Sequence, residues 1–81
     1  MNNNGVLEKR GHGEAVNITV NGDTRDVENG ITVTELLDSL GLHPRLIVVE
    51  YNREILNRDR YDETEVRAGD NFELVHFVGG G

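Results

Sequence analysis

The residues best suited to chemistry stand at the end of the chain, in Phe77-Val78-Gly79-Gly80-Gly81. Glycine has no Cβ, so such a run takes any backbone angle and can thread a passage shaped for backbone alone. The carboxylate of Gly81 is then the least hindered acyl group the chain can offer to another protein's active site. A carboxylate is a poor acyl donor until a partner equips it with a leaving group, so such an end is built to be acted on. The remaining inventory is thin. The chain has no cysteine, which removes disulfides, thiolate metal sites, iron–sulfur clusters and a cysteine nucleophile. His12, His43 and His76 fall on different segments without metal-ligand spacing, and no metal site is expected. Asp59, Asp62 and Glu63 could suggest paired carboxylates, but nothing apolar encloses them and they read as solvated turn residues. Neither a G-x-x-x-x-G-K phosphate loop nor a G-x-G-x-x-G turn is present. No residue reads as catalytic in its own right, and no cofactor is expected on this chain.

A chain of 81 residues makes one domain with a modest core, worth on the order of 3–5 kcal/mol of net stability. That leaves little volume for an enclosed active site. The formal net charge of −7 repels phosphate backbones, so nucleic acid is not an expected partner. The acidic residues alternate with arginines from Arg53 to Glu63. That pattern suits a solvated face and equally suits steering toward a basic partner. No apolar run reaches membrane-spanning length, and the first residues lack the apolar stretch of a signal peptide. A soluble, cytoplasmic protein is expected.

Several elements must position the tail. Residues 1–14 are polar and without period, and read as a disordered lead-in. Val16, Ile18 and Val20 alternate with polar residues as in a half-buried strand. Asn21-Gly22 suits a hairpin turn, with Thr24 to Val27 returning. Thr32-Val33-Thr34-Glu35 has the form of a capping box. Behind it Val33, Leu36, Leu37 and Leu40 make one apolar helix face, which Gly41 and Pro44 bring to an end. Leu46 to Val49 is a β-branched run expected as a central strand. Asn52-Arg53 turns the chain into a short strand through Ile55. Arg67 to Asp70 is turn chemistry, and Phe72 to Val78 reads as the last strand. The order β-β-α-β-β-β, with a right-handed crossover, predicts a last strand parallel to the first and central in the sheet. That is an α+β fold of ubiquitin-like β-grasp type, a mixed sheet with one main helix on one face. It spans residues 15–78 and is followed by a flexible tail at 79–81.

Strand alternation also makes a prediction about surface. If Phe72, Leu74 and His76 point to the helix side, Val75 and Phe77 point away. Beside the tail, and with Val78, they would form an exposed docking patch. The opposite parity would place them in the core.

With these pieces in place, the segment from Asn17 through Gly81 resembles the sulfur carrier proteins of thiamine biosynthesis (ThiS-type). The resemblance lies in Val20-Asn21-Gly22, in Thr32 to Leu37, in Val49-Glu50-Tyr51-Asn52-Arg53-Glu54-Ile55, in Gly69-Asp70, and in the ending from Glu73 to Gly81. Asn57 stands where members often carry proline, and residues 1–14 have no counterpart in the shorter members. The resemblance implies that an E1-like adenylating enzyme, using ATP and Mg²⁺, converts the Gly81 carboxylate to an acyl adenylate. Sulfur from a cysteine desulfurase system then displaces AMP, and thiazole synthase takes sulfur from the resulting thiocarboxylate. The small subunit of molybdopterin synthase shares this tail chemistry. A non-catalytic β-grasp interaction module is the alternative of another class. Lys9 is the only lysine, so few internal amines compete for an activated end.

Overall fold

The computed structural model describes residues 13–77. The lead-in up to residue 12, and Val78 with the glycine tail 79–81, lie outside the described residues. Strands β1 (Ala15–Val20) and β2 (Asp23–Glu28) form an antiparallel hairpin in full register, from Ala15 opposite Glu28 to Val20 opposite Asp23. The turn between them holds Asn21 at φ 52° and Gly22 at φ 88°, the left-handed pair that a two-residue hairpin loop requires. Hydrogen bonding continues one step past the ladder, because Asn29 N–H donates to the Glu14 carbonyl. Gly13 N–H donates to the Glu28 carboxylate.

Helix α1 (Val33–Ser39) is only seven residues long, so its sequence must nucleate it locally. Both arms of the capping box are made. Glu35 N–H donates to Thr32 Oγ1 at 3.1 Å, and Thr32 N–H donates to Glu35 Oε1 at 2.8 Å. At the other end Gly41, at φ 74°, closes a Schellman turn. Leu42 N–H reaches the Leu37 carbonyl, and Gly41 N–H that of Asp38. The helix lays Val33, Leu36 and Leu37 on the sheet, all fully buried.

A 3-10 turn at Pro44–Leu46 leads into β3 (Ile47–Tyr51), which pairs antiparallel with the three-residue β4 (Glu54–Leu56). The last strand, β5 (Asn71–His76), runs antiparallel to β3 and parallel to β1. Sheet order is β2-β1-β5-β3-β4. The last strand is therefore central and parallel to the first, as the crossover argument requires, and β3 is an interior strand. Leu46 begins no strand; it ends the 3-10 turn and is exposed.

Ile18, Val20, Ile47, Val49, Phe72 and Leu74 form the sheet's side of the core. The segment between β4 and β5 closes it with two residues that carry no periodic signal, Tyr61 and Val66. This segment is strapped to the residues before the helix. Val66 N–H donates to the Ile31 carbonyl at 2.7 Å, Gly30 N–H to Val66 at 2.8 Å, and Val33 N–H to Thr64 at 2.9 Å. The Tyr61 hydroxyl donates to the Ile47 carbonyl at 2.9 Å. Tyr51 stacks at a tilt on Phe72, with ring centroids 5.1 Å apart, and donates to Asp70 Oδ2 at 3.1 Å. Asp70 is itself buried, and accepts from Asn52 Nδ2 and the Arg67 backbone as well.

These two phenols make an alkaline limit. Burial pushes the Tyr61 hydroxyl above its ordinary value near 10. Burial also raises Tyr51, and the Asp70 carboxylate beside it adds to the shift. A raised folded-state pKa contributes stability that is complete below the unfolded value and lost as pH climbs through the folded one. Urea midpoints should therefore hold steady to about pH 9 and fall above about pH 10. The Tyr51→Phe/Tyr61→Phe variant should show a shallower fall. An equal fall in that variant would assign the alkaline loss to other groups.

Candidate functional site

The exposed face of the sheet is set by the parity of β5. Phe72 and Leu74 are buried, while Val75 is 59% and Phe77 55% exposed. The antiparallel register puts Val75 directly opposite Val48 of β3. One step further, Phe77 N–H donates to the Leu46 carbonyl at 2.7 Å, which brings Leu46, 49% exposed, alongside. Ile55, on β4, is 64% exposed. Opposite pairs on neighbouring strands share a face, so Val48 and Val75 stand side by side on the face away from the helix. Their apolar surface adjoins the point where the chain leaves the sheet.

His76 follows the expected parity but not the burial that usually goes with it. It stands opposite the buried Ile47, on the helix side, yet it is exposed. Val78, Gly79, Gly80 and Gly81, the other residues expected at the site, lie outside the described residues.

The end of β5 is held from both sides by different means. On one side β3 pairs with it along its whole length, from Tyr51 opposite Phe72 to Ile47 opposite His76. On the other side the β1 ladder covers only Thr19–Asn71 and Val20–Phe72. Asn21 carries it further. Its backbone N–H donates to Phe72 O at 2.8 Å. Its side chain then behaves as one more peptide unit: Nδ2 donates to Leu74 O at 3.2 Å, and Oδ1 accepts from Leu74 N–H at 2.7 Å. The turn asparagine thus fixes the strand three residues before Phe77. Its hairpin role was legible from Asn21-Gly22; the clamp spans 53 residues of sequence and leaves no local signal.

Among the described residues this arrangement gathers no set of reacting side chains. No group of three or more His, Cys, Asp or Glu side chains among the described residues is placed to hold a metal. No helix among them is long and apolar enough to cross a membrane. A β-grasp domain with one open, partly apolar sheet face at the root of its last strand belongs to the class of ubiquitin-like folds.

Comparison with known proteins narrows that class. The model of the ThiS family matches residues 13–81, and the chain belongs to that family. A thiamine biosynthesis protein (ThiS) from Geobacter metallireducens is 40% identical and superimposes with a TM-score of 0.69, covering 82% of this chain and 100% of that one. Sulfur carrier protein ThiS from Bacillus subtilis is 46% identical over 50 residues, 62% of this chain and 76% of its own. A thiazole synthase from Paramagnetospirillum magneticum is 39% identical over 64 residues. That match takes in 79% of this chain but only 20% of the synthase, so the chain spans about a fifth of that relative's length.

Proposed function

We propose that this chain is a sulfur carrier of thiamine biosynthesis whose reactive group is the carboxylate of Gly81. The observation that carries the reading is the juxtaposition at the end of β5: exposed Val75 and Phe77 on a strand clamped from both sides, followed at once by Val78-Gly79-Gly80-Gly81. Membership of the ThiS family supports it.

The chemistry runs through partners. An E1-like enzyme, with its own ATP and Mg²⁺, lets a carboxylate oxygen of Gly81 attack the α-phosphate, and pyrophosphate leaves. The acyl adenylate has AMP as a good leaving group. The terminal sulfur of a persulfide supplied by a cysteine desulfurase system attacks the carbonyl carbon and displaces AMP, and a thiol then cleaves the acyl disulfide, leaving a thiocarboxylate and a new disulfide. Thiazole synthase is the acceptor. Segments similar to this chain occur within the thiazole synthases of Paramagnetospirillum magneticum and Magnetococcus marinus, which supports that pairing. The chain contributes the acyl group and the docking face. It acts as co-substrate rather than catalyst, and the cytoplasm, where ATP is available, is its proposed place of work.

Phe77→Asp tests the docking half of the reading. Phe77 is more than half exposed and outside the core, so the melting temperature should stay within a few degrees of the parent. A carboxylate in the contact face should abolish adenylation, read as ATP–pyrophosphate exchange with the E1-like enzyme. Unfolding of the variant, or undiminished exchange, would refute the docking role.

A further inference from the structure

The open face carries one feature that the tail chemistry does not use. The register sets Glu50 of β3 directly opposite Glu73 of β5, with Ile55 of β4 opposite Glu50 on its other flank. Both glutamates are half-buried. Neither has an ion-pair partner among the described residues. They stand in a shallow concavity of about 510 Å³ whose apolar lining is Val48, Ile55 and Val75. Arg53 also lines it, at a left-handed φ of 75° in the β3–β4 turn, without pairing to either carboxylate. Like charges directly opposed on neighbouring strands destabilise a sheet, and partial burial beside apolar groups sharpens the cost. Among the described residues no hydrogen bond or ion pair to either carboxylate offsets that repulsion.

We propose that this concavity receives one arginine side chain of the enzyme that activates the tail. Its aliphatic stem would lie on Val48, Ile55 and Val75, and its guanidinium between Glu50 and Glu73. The proposal rests on the carrier reading for the identity of the partner. The chemistry of the occupant rests on the pocket. A planar guanidinium has enough donors to serve two carboxylates at once, and its stem covers apolar surface while the charge stays at the polar end. A hard divalent cation takes six or more oxygen ligands, and beside the two carboxylates the lining sets only Asn71 and the cationic Arg53 among apolar side chains. The net charge of −7 favours the approach of a basic partner surface. Apolar contact at Phe77 and ionic contact at Glu50 and Glu73 would then fix the rotational setting of the carrier on its partner, and with it the direction in which the tail leaves.

The test is calorimetric titration of the full chain with its E1-like enzyme at low and high salt. The parent is compared with Glu50→Gln/Glu73→Gln and with Asp23→Asn, which removes a charge on the far edge strand β2. The double variant should bind about tenfold more weakly or worse, with a shallower salt dependence. It should melt no lower than the parent, because the repulsion is gone. Asp23→Asn should bind as the parent does. Weakening of the double variant by less than about threefold overturns the pocket, as does equal weakening by Asp23→Asn, which would leave only a global charge effect. A marked drop in melting temperature of the double variant overturns it as well, since the glutamates would then be stabilising the sheet. Failure of the enzyme to adenylate the parent chain overturns the carrier reading itself, and this proposal with it.

Discussion

Leu37→Ala should cost about 2–5 kcal/mol of folding stability. Leu37 is fully buried, at the centre of the stripe that α1 lays on the sheet. A seven-residue helix has no stability of its own in water, so α1 persists only through its cap and this packing. Removing three carbons leaves a void between Leu36, Val33 and the sheet that the short helix cannot close without breaking the Leu42-to-Leu37 bond of its Schellman turn. With a total of only a few kcal/mol available to a domain of this size, the variant should be largely unfolded near body temperature. Urea denaturation followed by far-ultraviolet circular dichroism reads the effect. A loss of a few tenths of a kcal/mol would place that face in solvent and undo the core described above.

The largest functional effect should come from the other end. Deleting Gly81, or replacing Gly80 with phenylalanine, should abolish thiocarboxylate formation and leave the circular dichroism spectrum and urea midpoint unchanged. The core residues all precede Val75, so neither change removes a buried apolar contact. The terminal carboxylate oxygen must come within about 3–3.5 Å of the α-phosphorus it attacks, and a chain shortened by one residue cannot supply that geometry. A phenyl ring at position 80 needs room in a passage that accepts backbone alone. The assay is ATP-dependent sulfur incorporation with the E1-like enzyme and a sulfide source. Incorporation into the shortened chain at the parent's rate would show that Gly81 is not the carrier site.

How far the sequence disclosed these features depended on the range of the interactions involved. The capping box, the apolar stripe of α1 and the Gly41 stop are made within one helix length, and each is legible from neighbouring residues. The alternation of β5 is equally local, but which parity faces the helix is not; burial of Phe72 and Leu74 fixes it and turns Val75 and Phe77 outward. Four features were not legible. His76 has the helix-side parity without burial, and strand alternation reports the parity only. Tyr61 and Val66 complete the core from a segment with no period, held by backbone bonds to residues 30–33. Asn21 and Asn52 each fill a turn position and also use the side chain to bond β5, Asn21 at Leu74 and Asn52 at Asn71 N–H. A turn signal reports the first role only. The Glu50–Glu73 juxtaposition likewise follows from the β3–β5 register, which joins segments 23 residues apart.

The central claim is that Gly81 carries sulfur, and the absence of cysteine permits a direct test. The protein is purified from its own host under non-reducing conditions, treated with a thiol-specific alkylating reagent, and examined by intact mass and by fragmentation. Replacement of oxygen by sulfur changes the mass almost as methionine oxidation does, and Met1 can oxidise, so mass alone is ambiguous. Alkylation removes the ambiguity because the chain has no side-chain thiol to react. The account predicts a population that gains one alkyl group, with the added mass located on Gly81 as a thioester. A chain that takes up no reagent in a host actively making thiamine, or one that carries it anywhere other than Gly81, would contradict it.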